Sequence, residues 1–128
     1  MDGMRTGILL VTHPGIGSAL LKQARVILSD PLEGVAALDV NQTQGVSPEV
    51  LREAAAKAGR EGGLLVMTDL PGSTPSNLAA GLRDEHCRVV SGLNLAMLIR
   101  AWNYRHRAPE ELAGLAIEGG RKAVLEVP

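Results

Sequence analysis

The sequence predicts an α/β protein with three layers, a mostly parallel sheet lying between helices on both faces. Short apolar runs rich in Leu, Val and Ile recur along the chain, each run ends in turn chemistry, and segments of helical period fill the intervals. Strands that alternate with helices join through right-handed crossovers. Short connections then leave 2-1-3-4, a flavodoxin-like order, as the most economical topology.

The first strand is expected over Gly7–Thr12, stopping at Thr12–His13–Pro14. Gly15 and Gly17 then open a helix with Leu20, Leu21, Ala24, Ile27 and Leu28 on one face. A second strand is read over Val35–Val40. Ser47 as N-cap and Pro48 at the first helical position start the next helix, whose apolar face is Val50, Leu51, Ala54, Ala55 and Ala58. The third strand, Leu64–Thr68, is followed by the same start signal at Thr74–Pro75 and a helix over Pro75–Arg83. Val89–Val90 supports a weaker strand at Arg88–Ser91. Helices are expected at Leu93–Tyr104 and Pro109–Glu118, and Val124–Val127 reads as a final edge strand. No linker or repeat divides the chain, so residues 1–128 are read as one domain.

A chain of 128 residues buries a sizeable core without disulfides or metals. That core is aliphatic, because 45% of residues are hydrophobic while the aromatics are one Trp and one Tyr. Stacking on nucleic-acid bases is therefore an unsuitable function. With 13 basic and 14 acidic residues the net charge is −1, which lacks the electrostatic footprint of a nucleic-acid binder. The single cysteine, Cys87, excludes an intramolecular disulfide and a thiol–zinc cluster and fits a reducing compartment. Behind Arg5 the run Ile8–Val11 is too short for a signal sequence or a membrane span. A cytoplasmic location is expected.

In a 2-1-3-4 sheet, strands 1 and 3 are neighbours at the switch point, and ligands sit beyond the carboxyl ends of the strands. His13 and Asp69 then lie at the tips of adjacent strands. A carboxylate that accepts the Nδ1 proton of His13 fixes the tautomer, raises the ring basicity and leaves Nε2 facing the crevice. Pro14 holds His13 extended. The competing reading makes His13 a tolerated polar residue at a strand end.

Leu70–Pro71–Gly72–Ser73 suits a type II turn, and Thr74–Pro75 starts a helix whose free amides and dipole favour a phosphate. Ser73, Thr74 and Ser76 add hydroxyls, although Thr74 also reads as an ordinary N-cap. Thr12, Ser91 and Asn94 are placed on the crevice wall, with helix capping an equal account of Asn94. Gly15-x-Gly17 with Asp39 raises a dinucleotide reading, weakened by Leu20 at the third glycine position. His86, Cys87 and the Arg105–His106–Arg107 segment read as structural.

Together, Thr12–His13, "TDLPGSTPSNLA" at 68–79, "SGLNLAML" at 91–98 and "YRHRAPEELAGLAIEGGRKAV" at 104–124 resemble the enzyme IIA domain of the mannose family of the bacterial phosphoenolpyruvate-dependent phosphotransferase system. The resemblance spans nearly the whole chain. It implies that His13 accepts a phosphoryl group from phospho-HPr through Nε2 and passes it to an enzyme IIB partner. It also implies that Asp69 hydrogen-bonds the histidine and that Gly72, Ser73 and Thr74 surround the phosphoryl group. Neither metal nor cofactor is implied. A homodimer is, in which Val124–Val127 crosses to the other subunit's sheet. Pro14 stands where the family usually has Gly, Pro71 where an aromatic is common, and Ser73 replaces the second Gly of a frequent pair. The membrane is reached only indirectly, through a permease. The alternatives are a regulatory binding module read through its phosphorylation state, the phosphotransfer subunit of dihydroxyacetone kinase, and a small nucleotide-binding domain.

Overall fold

A computed structural model of the protein describes residues 4–128. Nine elements follow in the order β1 (Thr6–Thr12), α1 (Ile16–Leu28), β2 (Ala36–Asp39), α2 (Pro48–Ala58), β3 (Gly63–Thr68), α3 (Thr74–Ala80), β4 (Cys87–Val90), α4 (Leu95–Asn103) and α5 (Pro109–Lys122). The strands form one parallel sheet in the order β2-β1-β3-β4. The topology and the helices on both faces agree with the sequence reading.

The central strands explain why the runs in β1 and β3 are apolar without alternation: both of their faces are covered. The period of two divides them cleanly. Ile8, Leu10, Leu65 and Met67 pack with α1, α4 and α5 in one core, while Leu9, Val11, Leu64 and Val66 pack with α2 and α3 in the other. Close approach between layers is set by Gly7, where a Cβ would lie 1.8 Å from the Ala58 carbonyl oxygen at the end of α2.

Local signals place the helix starts. Ser47 Oγ accepts from the Val50 amide and Asn94 Oδ1 from the Met97 amide, each closing an orphan donor of a first turn. At α3 the expected N-cap moves back by one residue. Ser73 takes the extended N-cap conformation and Thr74 is the first helical residue, because the Thr74 hydroxyl donates to the Gln42 carbonyl at 2.7 Å. The helix ends at Ala80, before the expected Arg83, and α5 runs on to Lys122, beyond the expected Glu118.

Two expectations are corrected. Ile27 is 56% exposed, since the buried stripe of α1 is narrower and centres on Gly17, Leu21 and Ala24. Val124–Val127 forms no strand in its own chain. The Val124 amide donates to the Arg121 carbonyl, and Val124, Leu125 and Val127 are exposed, so the segment has neither the ladder partner nor the buried face that a strand needs. Among the described residues no helix is long and apolar enough to cross a membrane.

Candidate functional site

His13 leaves the carboxyl end of β1 and Asp69 that of β3, and parallel pairing of these strands brings the two residues together. His13 Nδ1 lies 2.7 Å from Asp69 Oδ2, and the His13 backbone N–H donates to the same oxygen at 3.1 Å. One carboxylate oxygen thereby fixes both the residue and its ring. The hydrogen bond to Asp69, and secondarily one accepted by Gln42 Oε1, raise the His13 pKa above its ordinary value. Burial alone would push the Asp69 carboxyl up, but hydrogen bonds from the His13 ring and amide, joined by one from its own backbone amide, outweigh it and hold the carboxyl below its ordinary value. The other Asp69 oxygen, Oδ1, is buried and has no hydrogen-bond partner among the described residues.

Two similar turns flank this pair. The Ile16 amide donates to the His13 carbonyl across Pro14–Gly15, and the Ser73 amide donates to the Leu70 carbonyl across Pro71–Gly72. The second turn residues, Gly15 and Gly72, have φ of 86° and 81°, the left-handed region that a type II turn demands after proline. Pro14 and Pro71 thus occupy equivalent positions, where φ is pre-set and the turn needs no amide. Thr12, fully buried, donates from Oγ1 to the His13 carbonyl and accepts from the Gly17 amide, locking the start of α1 beneath the histidine.

Not every predicted residue faces the histidine. Ser73 is buried and its Oγ donates to the Leu70 carbonyl at 2.6 Å, so its hydroxyl and amide both close the turn. Gly72 is exposed at the rim. Thr74 does reach the site: its backbone N–H points to the same side-chain oxygen that meets the His13 ring. Ser91 accepts from Thr68 Oγ1 behind Asp69, and Asn94 caps α4 while its amide donates to the Gly120 carbonyl. Ser91 and Asn94 line a separate hollow with Met97, Ile117, Gly120 and Val124.

Asp39 is exposed at the end of β2, and the structure gives one of its oxygens a backbone partner. Its Oδ1 accepts from the Gly15 amide, tying the end of β2 to the turn after His13. Gly17 serves packing, since a Cβ there would lie 3.2 Å from both Leu10 Cβ and Thr12 Oγ1. Packing thus accounts for Gly17 and a backbone hydrogen bond for Asp39, without a dinucleotide.

The residue that sequence reasoning missed is Gln42, in the loop after β2. Its Oε1 lies 2.8 Å from His13 Nε2 and accepts from the Thr74 amide at 3.1 Å. Its type carries no chemical signature. The only available signal was topological, because the loops after β1, β2 and β3 must share one end of the sheet. No group of three or more His, Cys, Asp or Glu residues able to hold a metal occurs among the described residues.

The arrangement can hold one imidazole in a defined tautomer with Nε2 toward the rim, close to a helix-start amide. Comparison with known proteins gives the family. Residues 7–114 match the family described as PTS system fructose IIA component. The mannose/sorbose specific IIA subunit of the phosphotransferase system from Enterococcus faecalis is 30% identical, with 98% of this chain and 96% of that one covered and a TM-score of 0.83. The phosphotransferase system component EIIA from Streptococcus agalactiae is 27% identical, with coverage of 94% and 95% and a TM-score of 0.76. A PTS IIA protein associated with the fucose utilization operon of Streptococcus pneumoniae, 18% identical, covers 98% and 96% at a TM-score of 0.78 and shares the fold. No curated protein shows a significant match. Family match, sheet order and near-complete coverage agree: the chain belongs to the fructose/mannose-type enzyme IIA components of the sugar phosphotransferase system.

Proposed function

We propose that the protein is a phosphohistidine carrier that accepts a phosphoryl group from phospho-HPr on His13 Nε2 and delivers it to an enzyme IIB partner. The observation that carries this reading is the pairing of His13 Nδ1 with Asp69 at 2.7 Å. A carboxylate at that distance supports a proton on Nδ1, which leaves the reactive lone pair on Nε2 once that atom is deprotonated. In-line transfer between two imidazoles asks for positioning and charge stabilisation rather than covalent machinery, since the donor is already activated. The N–P bond of the donor breaks with its electron pair staying on the donor nitrogen, and the new N–P bond forms at His13. Asp69 balances the charge on the ring, and the Thr74 amide is placed to receive a phosphoryl oxygen.

The exposed Pro–Gly turns at 14–15 and 71–72 form the rim on which donor and acceptor proteins dock. The reading includes a homodimer, supported by the unpaired outer edge of β4 and the exposed apolar tail at Val124, Leu125 and Val127.

Intact-protein mass spectrometry after incubation with phosphoenolpyruvate, enzyme I and HPr tests the carrier role. An acid-labile phosphoryl adduct on wild type and none on His13→Ala is the expected result. Absence of the adduct while HPr itself is charged rejects the reading.

A further inference from the structure

We propose that Gln42 is a displaceable cap on the acceptor nitrogen: its carboxamide oxygen occupies the place between His13 Nε2 and the Thr74 amide that an oxygen of the incoming phosphoryl group must take. The inference rests on the phosphocarrier reading for the identity of what displaces the cap, and on geometry alone for the cap itself.

The orientation of the carboxamide is fixed by chemistry. The Thr74 backbone amide can only donate, so the atom 3.1 Å from it is the oxygen, and that same oxygen lies 2.8 Å from His13 Nε2. An amide oxygen can only accept. Nε2 therefore carries a proton whenever the cap is in place, and Nδ1 donates to Asp69 at the same time. A ring that donates from both nitrogens is an imidazolium and has no lone pair with which to attack phosphorus.

The cap is built to move without its loop. Asn41 Oδ1 accepts from the Thr43 amide, the Thr43 hydroxyl and the Gln44 amide, and the Gly45 amide donates to the Asn41 carbonyl. The Gln42 carbonyl accepts from Thr74 Oγ1. With the backbone pinned on both sides, the exposed side chain swings on its own rotamers. Acceptance then runs in order. Gln42 leaves, the Nε2 proton passes to water, the lone pair attacks phosphorus while the donor N–P bond breaks, and the freed Thr74 amide receives a phosphoryl oxygen.

The charged groups facing His13 are few. Asp69 comes from the loop after β3; Asp39, at the end of β2, is engaged by the Gly15 amide; the first turns of α1 and α3 carry no acidic residue. Gln42 thus stabilises only the protonated ring, and the cap closes as pH falls and opens as it rises.

Gln42→Ala and Gln42→Glu test this by nitrogen-detected NMR titration of His13, together with phosphorylation rates measured from pH 6 to 8. Phosphoramidate serves beside phospho-HPr as a small donor that needs no docking and releases ammonia on transfer. Gln42→Ala should lower the His13 pKa and speed acceptance at the acid end by roughly fivefold, the equilibrium worth of one ordinary hydrogen bond. Gln42→Glu should raise the pKa and slow acceptance from both donors. An unmoved titration in Gln42→Ala, or slower acceptance at the acid end, overturns the cap. Failure of phospho-HPr to charge wild type, with the titration shifts present, rejects the carrier reading and leaves the cap standing.

Discussion

Oδ2 of Asp69 accepts from both the ring and the backbone amide of His13, at 2.7 and 3.1 Å, so a single oxygen sets where the histidine sits and how its ring is turned. The pairing crosses 56 residues of sequence and follows from β1 and β3 being neighbours. The second carboxylate oxygen is buried without a side-chain or loop partner, so the contacts with His13 carry most of what offsets the burial of this charge.

Replacing that charge tests its role. Asp69→Asn should keep the fold, lower the His13 pKa and slow phosphoryl acceptance by about one to two orders of magnitude, the scale on which orienting carboxylates act on imidazoles. Rates measured with phospho-HPr, alongside the NMR titration, check both effects.

The pair also makes stability depend on pH. The His13 pKa is raised, so its contribution is complete below about 6.5 and is lost as pH rises through the folded value. The Asp69 pKa is lowered, so its contribution is present above about 3.8 and is lost as pH falls through the folded value. Urea unfolding of wild type and His13→Ala should therefore differ most near pH 5, and the difference should shrink toward pH 8 and toward pH 2.

Two glycines separate backbone strain from steric exclusion. Gly72 has φ of 81° and open space around it, so Gly72→Ala should cost about 1–2 kcal/mol. Gly7→Ala drives a methyl into the Ala58 carbonyl and should cost about 3 kcal/mol or more. Chemical denaturation ranks the two.

Removal of residues 123–128 should leave the monomer fold intact, since Val124, Leu125 and Val127 are all exposed. If the tail pairs with a second subunit, light scattering will show loss of the dimer at concentrations where the full chain self-associates. An unaltered dimer removes the tail from the interface.

Local chemistry and pattern determined a great deal here. The apolar runs of β1 and β3 declared strands covered on both faces, Ser47–Pro48 marked a helix start, and alternation of strand and helix left one economical sheet order. That order in turn placed His13 beside Asp69. Each of these signals is carried by neighbouring residues or by the period of a single element. Tertiary structure alone decided the rest. Ser73 turned its hydroxyl inward onto Leu70, Thr74 became the first residue of α3 because its hydroxyl found the Gln42 carbonyl, and Gln42 arrived on His13 from a loop whose composition gave no hint of it. Where a side-chain hydrogen bond ends depends on which loops meet at the rim of the sheet. Residue type and spacing along one strand or helix do not encode that meeting.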